Sequence, residues 1–212
     1  MAPSITRAAI LALALTAAAG AGAQNAPSSP PPDSPPAPVE AAPAPPATGA
    51  ARTLAPNAAD PSSPDEVTLA ARPAVIVAGS SAWGEGFTTL KGAFDRLNEE
   101  MTKAGLKPAG RPLAVFTQTD DAGFRYEAMI PVEEGTAPNL GPDIRLGRTP
   151  EGRAVRFVHK GPYEDVDTTY ETVTAYLDVK GIVVKDTFIE EYLADLTNAA
   201  DPVDINIYAL PR

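Results

Sequence analysis

One glutamate flanked by aromatic residues is the part of this sequence best suited to chemistry. The residues around Glu190 are predicted to form a β-strand, in which side chains two positions apart share a face. Phe188, Glu190 and Tyr192 therefore lie on one face, and Ile189 and Glu191 lie on the other. In a partly desolvated cleft a carboxylate attracts a cation several-fold more strongly than in water. Each aromatic face near that cation adds about 0.5–2 kcal/mol of cation–π attraction.

The sequence leaves open which face of this strand packs against the helices. Ile189 and Leu193 are a natural core pair, but Glu191 lies between them. The alternative register turns the face that carries Glu190 toward the helices. An internal repeat, described below, makes Ala114 the equivalent of Glu190, so a pseudo-symmetric cleft would hold one unpaired carboxylate, as a site for a single cation requires.

Glu190 supports two kinds of function. As a charge partner it would bind a cation; desolvation would also raise its pKa toward the range of a general base, and the chain would then be a hydrolase with Glu190 as the catalytic residue. The candidate ligand-binding residues are Glu190, Tyr192, Tyr208, Trp83 and Tyr163. Trp83 fits a core or loop-packing role equally well, and Tyr163 follows a Gly-Pro turn, where packing against the next helix is the commoner role.

Composition argues against several other kinds of site. The sequence has no cysteine, which excludes disulfides, thiolate catalysis and cysteine-based zinc sites. His159 is its one histidine, so we expect no metal and no cofactor, haem included. The formal net charge of −10 argues against nucleic acid or an anionic membrane surface as a partner, because both attract basic faces.

Two similar sets of elements are predicted to position Glu190. The first set consists of a β-branched run from Pro73, a helical stripe from Leu90 to Met101 and an alternating hairpin. The same order of elements returns from Ala154. Three pairs of residues are each 76 positions apart: Phe94 and Tyr170, Gly105 and Gly181, and Phe116 and Tyr192. We predict an α+β fold in which two pseudo-symmetric βαββ repeats form an antiparallel sheet with two helices on one face. A ligand would occupy the opposite sheet face or the seam between the repeats.

The N-terminal third lacks the composition of a folded core. We predict a signal peptide at residues 1–23 from Arg7, the apolar run from Ala8 to Ala19 and the small residues up to Ala23. The apolar run is too short to span a bilayer. Residues 24–70 are rich in proline and alanine and predict a disordered linker, and residues 71–212 predict the folded domain. We therefore expect a periplasmic or secreted protein, cut after Ala23, with no stable membrane insertion after cleavage.

Three motifs of the second repeat resemble a known family. The run FVHKGPYE, from Phe157 to Glu164, resembles the strand and turn of the GyrI-like, or AraC-type, effector-binding domain. The residues Glu190-Glu191-Tyr192-Leu193 resemble its E-x-Y-L strand. Ile207 to Pro211 resembles its closing I-Y-x-P strand, with one residue more before the proline.

The resemblance implies a duplicated SHS2-type fold, distantly shared with SOUL haem-binding proteins. It also implies a small, often cationic and aromatic ligand in a central cleft, contacted by the acidic residue of the E-x-Y strand, here Glu190; some members hydrolyse reactive compounds. Many members are fused to DNA-binding regulators, whereas this chain has a signal peptide and a linker in that place, so we do not expect transcription control. We expect an exported binding protein; the alternatives are the hydrolase and an envelope interaction protein with a vestigial cleft.

Overall fold

The computed structural model describes residues 52–134 and 139–212. They contain eight strands and two α-helices. In chain order they are β1 (Asp65–Leu69), β2 (Pro73–Ala82), α1 (Gly86–Lys103), β3 (Leu113–Thr119), β4 (Gly123–Pro131), β5 (Ile144–Arg148), β6 (Gly152–Pro162), α2 (Val166–Lys180), β7 (Val184–Tyr192) and β8 (Pro202–Pro211).

The strands form one antiparallel sheet in the order β1-β6-β8-β7-β3-β4-β2-β5. Its two halves match, because β2, β4 and β3 with the outer strand β5 mirror β6, β8 and β7 with the outer strand β1. The halves meet where β3 pairs with β7. This confirms the predicted α+β fold of two βαββ repeats. The outer strands β1 and β5 were not predicted.

Both helices pack against the same face of the sheet, as expected. In α1 the buried residues Leu90, Phe94, Leu97 and Met101 recur every three or four positions and form one apolar stripe. In α2 the stripe is thinner, and its hydrophobic positions include tyrosines. Each helix is followed by a glycine in the left-handed region, Gly105 (φ 70°) after α1 and Gly181 (φ 65°) after α2, where a residue with a Cβ is disfavoured.

The folded domain begins earlier than predicted. Asp65–Leu69 lies inside the predicted linker at residues 24–70, yet it forms β1 and pairs with β6. Upstream of it, Leu54 and Ala55 are fully buried against the sheet face that carries no helices. We call residues 52–58 the strap. The predicted signal peptide at 1–23, and the part of the predicted linker before residue 52, lie outside the described residues.

The strap explains how the second sheet face is covered. A separate apolar cluster lies under it, containing Leu54, Ile76, Leu113, Ile189 and Tyr208 among others. The part of the sheet beneath the strap is therefore buried on both faces, by the helices on one side and by the strap on the other. No helix in the described part of the chain is long and apolar enough to span a bilayer.

Candidate functional site

β7 has the register in which Glu190 faces the helices. Phe188 and Tyr192 share that face and join the core under the helices, while Ile189 belongs to the cluster under the strap. The side chain of Glu190 is buried, with an exposed fraction of 1%. Of the two registers that the sequence left open, the structure has the one that places the carboxylate between the sheet and the helices.

Three tyrosine hydroxyls hold the carboxylate of Glu190. Tyr170, from α2, donates a hydrogen bond to Oε1 at 2.9 Å. Tyr192, two residues along β7, donates to Oε2 at 2.5 Å, and Tyr163, from the 3-10 turn before α2, donates to the same oxygen at 3.4 Å. All three donors come from the second repeat, so the carboxylate is held on the α2 side of the seam.

Burial changes the ionisation of these groups. It raises the pKa of Glu190 because a carboxylate loses its hydration there, and Asp167 raises it further, while the three hydroxyl donors oppose the shift. Burial also raises the pKa of Tyr163, Tyr170 and Tyr192 well above the usual range, and the adjacent carboxylate adds to that effect. The phenols are therefore protonated donors at neutral pH.

A cavity of about 690 Å³ opens above Glu190, between the two helices and the central strands. This volume lies in the range of pockets for drug-sized molecules. It is lined by Trp83, Gly84, Gly86, Phe87, Phe116, Thr119, Phe124, Tyr163, Glu164, Val166, Asp167, Tyr170, Phe188, Glu190 and Ala199. The lining comes from both repeats, so the cavity lies at the seam, on the helix-covered face.

The structure brings four of the five predicted site residues together. Glu190, Trp83 and Tyr163 line the cavity, and Tyr192 binds Glu190 from the side. Trp83 is half exposed, and its indole Nε1 donates to the carbonyl of Asp120 at 2.9 Å.

The prediction for Tyr208 is wrong. Tyr208 lies opposite Ile189 in the β7–β8 pair, and directly paired residues share a face, so it belongs to the strap side of the sheet. Its hydroxyl donates to Oε2 of Glu191 at 2.6 Å. Asn206 Nδ2 donates to the same oxygen at 3.0 Å, and the backbone N–H of Leu54 donates to Oε1 at 2.6 Å. Glu191 thus has its own set of donors, away from the cavity.

Several residues that line the cavity or bind Glu190 were not predicted as site residues. Tyr170 was predicted only as the repeat equivalent of Phe94, although it is one of the donors to Glu190. Phe87, Phe116, Phe124 and Phe188 also line the cavity. The spacing within α2 contained a signal for Tyr170, because a hydroxyl on an otherwise apolar stripe needs a buried partner.

His159 has a structural role in this arrangement. Its Nδ1 lies 2.8 Å from the hydroxyl of Thr169, and its Nε2 lies 3.1 Å from the carbonyl oxygen of Pro162. Both ring nitrogens are thus engaged in holding the end of β6 against α2. Within residues 52–134 and 139–212, no group of three or more acidic or histidine side chains is placed to hold a metal ion.

The pseudo-symmetry of the sheet makes Glu190 central. Ala114, the repeat equivalent of Glu190, is also its direct neighbour in the β3–β7 pair. Because these two equivalent residues are direct neighbours, the pseudo-two-fold axis that relates them passes between them. A methyl group and a carboxylate meet at the centre of the seam, and the symmetry is broken there.

The match to a family model identifies the domain. The model of the GyrI-like small molecule binding domain matches residues 62–209. This chain belongs to that family. No curated protein matches the sequence.

Solved structures share the fold of this GyrI-like chain. The C-terminal domain of EcmrR has a TM-score of 0.59 at 14% identity, with 71% of this chain and 97% of that domain covered. EcmrR in a complex with DNA has a TM-score of 0.57 at 16% identity, and the match covers 71% of this chain but spans only 58% of EcmrR. A hydrolase from Listeria innocua has a TM-score of 0.51 at 16% identity, with 69% and 90% covered. At these identities the likeness shows the fold alone.

Proposed function

We propose that this GyrI-like domain binds an organic cation with aromatic or other bulky apolar groups, and that Glu190 is its charge partner. The proposal rests on one observation: the carboxylate of Glu190 is buried, lines a cavity and accepts hydrogen bonds only from hydroxyl groups. Among the described residues, no lysine, arginine or histidine forms an ion pair with Glu190.

The electrostatics of the cavity support a positively charged ligand. Burying a carboxylate costs several kcal/mol, and neutral hydrogen-bond donors offset only part of that cost. The charged residues among those lining the cavity are Glu164, Asp167 and Glu190, all acidic. A cation in the cavity would provide the missing positive charge in a poorly screened environment, where its attraction is strongest.

The hydrogen bonds of Glu190 favour binding over hydrolysis. Hydrogen-bond donors that stabilise the ionised form of a carboxylate lower its basicity and so make it a weaker general base. Here Oε1 accepts from Tyr170 and Oε2 accepts from Tyr163 and Tyr192, and these donors stabilise the ionised form. The same donors suit a carboxylate that stays charged and holds a cation, so we retain hydrolysis only as an outcome to be tested.

A matched pair of ligands tests the proposal. Phenyltrimethylammonium carries a permanent charge, and tert-butylbenzene is its neutral isostere. We expect the cation to bind and the isostere to bind far more weakly in calorimetric titrations. Binding of the cation should strengthen as pH rises through the raised pKa of Glu190, by up to about tenfold per pH unit, because only the ionised carboxylate attracts it. Equal affinities, or a pH-independent affinity for the cation, would contradict the proposal.

We also propose that the chain is exported. Support comes from Arg7, the apolar run from Ala8 to Ala19 and the small residues ending at Ala23. Expression of the full chain in a bacterial host, followed by mass spectrometry of the periplasmic fraction, should give a protein that begins at Gln24. Recovery of the uncut chain from the cytoplasm would contradict export. The absence of a nucleic-acid partner, expected from the net charge, stays a prediction.

A further inference from the structure

We infer that the cavity is built for an elongated ligand, with its cationic head at Glu190 and an apolar chain that extends along β3 to Trp83. The inference rests on the cation-binding function proposed above and names the class of ligand: a cationic amphiphile rather than a compact cation. It makes Trp83 a residue that determines specificity for ligand length.

The two repeats contribute different chemistry to the cavity. The three charged residues of the lining, Glu164, Asp167 and Glu190, all come from the second repeat. The first repeat contributes aromatic side chains, glycines and Thr119, with no charged group among the lining residues. Since the donors to Glu190 also come from the second repeat, a cationic head belongs on that side and an apolar group on the other.

A continuous aromatic wall begins beside Glu190 and ends at Trp83. Phe116 lies two positions along β3 from Ala114, the neighbour of Glu190. The ring of Phe116 contacts that of Phe124, with centroids 5.2 Å apart, and Phe124 contacts Trp83 at 5.3 Å. No charged side chain interrupts this series of rings.

The length of the wall follows from the strand. Thr119, at the far end of the lining, lies five positions beyond Ala114 in β3. At about 3.3 Å per residue, and with a bulge between Phe116 and Gln118, this distance is about 15 Å. A compact aryl cation seated at Glu190 leaves the distal part of the wall uncovered, whereas an extended alkyl chain covers it.

Trp83 closes the far end of the wall. It is 52% exposed, which is high for the largest apolar side chain, although its indole N–H is held by the turn at Asp120. Trp83 begins the 3-10 turn Trp83–Glu85 before α1. Its counterpart Tyr163 begins the 3-10 turn Tyr163–Asp165 before α2 and donates to Glu190. The equivalent positions of the two repeats therefore differ in role, one serving the charge and the other offering an exposed apolar face.

A series of ligands of increasing length tests the inference. Butyl-, octyl- and dodecyltrimethylammonium share one head, and Trp83, the one tryptophan of the sequence, reports contact through its fluorescence. We expect affinity to rise with chain length, by up to about fourfold per buried methylene. The emission of Trp83 should shift with the longer chains and stay unchanged with butyl.

Variants separate the two ends of the ligand. Trp83→Ala should weaken dodecyl binding by about fivefold or more and butyl binding by clearly less, and Trp83→Phe should restore most of the dodecyl loss. Glu190→Gln should weaken all three ligands by the same factor. Equal affinity of the wild type for all three ligands, or equal losses for butyl and dodecyl in Trp83→Ala, would overturn the inference and leave the cation site standing. If phenyltrimethylammonium binds and none of the three alkyl ligands does, the inference fails and the proposed function stands; if phenyltrimethylammonium does not bind either, both fail.

Discussion

Glu190→Gln is expected to weaken the binding of phenyltrimethylammonium by at least about 30-fold while the domain stays folded. Loss of one partner of a buried charge pair typically costs about 2–5 kcal/mol, and 2 kcal/mol corresponds to that factor. Glutamine keeps the shape of the side chain and still accepts a hydrogen bond from a tyrosine through its carbonyl oxygen. Calorimetric titration of the wild type and the variant, after circular dichroism has verified the fold, measures the effect.

Glu191→Gln is the matched control, because it makes the same chemical change one residue away. Glu191 lies on the opposite face of β7, among Tyr208, Asn206 and the backbone of Leu54. We expect its loss to lower stability and to leave the affinity for the cation within about twofold of the wild type. If both variants lose affinity equally, the effect comes from general destabilisation and not from the charge of Glu190.

The same pair of proteins separates binding from hydrolysis. A hydrolase that uses Glu190 as its base would consume a reactive substrate in the wild type, and glutamine would stop turnover. A binding protein would leave every ligand intact in both proteins. Turnover lost in Glu190→Gln, together with unchanged affinity for the cation, would overturn the binding proposal in favour of the hydrolase.

The stability of Glu190→Gln should depend less on pH than that of the wild type. Burial raises the pKa of Glu190 above its ordinary value of 4.5, so the unfolded chain releases this proton at a lower pH than the folded domain. The free energy of unfolding of the wild type therefore falls as pH rises from about 4.5 through the raised pKa. Glutamine has no proton to release, so the stability of the variant relative to the wild type should rise over the same pH range.

The architecture could be predicted because it is encoded twice. Each repeat contains a helix with a stripe of apolar or tyrosine side chains, a glycine after that helix and an alternating hairpin. The prediction for one repeat therefore supports the prediction for the other. The outer strand β1 gave no such signal. Asp65–Leu69 is five residues long, and its pairing with β6 joins positions about ninety residues apart, which no local pattern encodes.

The faces on which Glu190 and Tyr208 lie could not be predicted for a different reason. Alternation identifies the inner face of a strand only when the other face meets water. In β8 both faces are buried, with Ile205 and Ile207 under the helices and Asn206 and Tyr208 under the strap. The predicted set therefore includes two of the three tyrosines that donate to Glu190, Tyr163 and Tyr192, whereas Tyr208 lies on the other side of the sheet.

The strap itself was missed because its signal is a single residue. Leu54 stands alone in a segment rich in alanine and proline, where no periodicity can be recognised. The role of Leu54 is apparent only in the folded domain, where this residue covers the carboxylate of Glu191. Arg156 adds to this attachment, since its guanidinium donates to the carbonyl oxygens of Asn57 and Ala58 at 2.7 and 3.2 Å and binds Asp65.

Leu54→Asp is expected to lower the free energy of unfolding by about 3–5 kcal/mol. The side chain of Leu54 is fully buried, and its burial contributes about 1.5–3 kcal/mol. A carboxylate at this position would lie beside Glu191, and repulsion between the two charges would displace the strap. Glu191 would then lose the N–H donor at 2.6 Å, which adds about 1–3 kcal/mol. Urea denaturation of the full chain measures the loss.

Asn57→Asp makes the same change in charge within the strap and is the control. The side chain of Asn57 is exposed, and its contact with Arg156 uses the backbone carbonyl, so we expect a change within about 0.5 kcal/mol. Trypsin should also cleave after Arg52 faster in Leu54→Asp than in Asn57→Asp, because a displaced strap exposes its backbone. Equal stability of the two variants would mean that the strap is not part of the cooperative fold. A loss confined to Leu54→Asp would set the N-terminal boundary of the folding unit at or before residue 54, because the energy of covering Glu191 would then be part of the stability of the sheet.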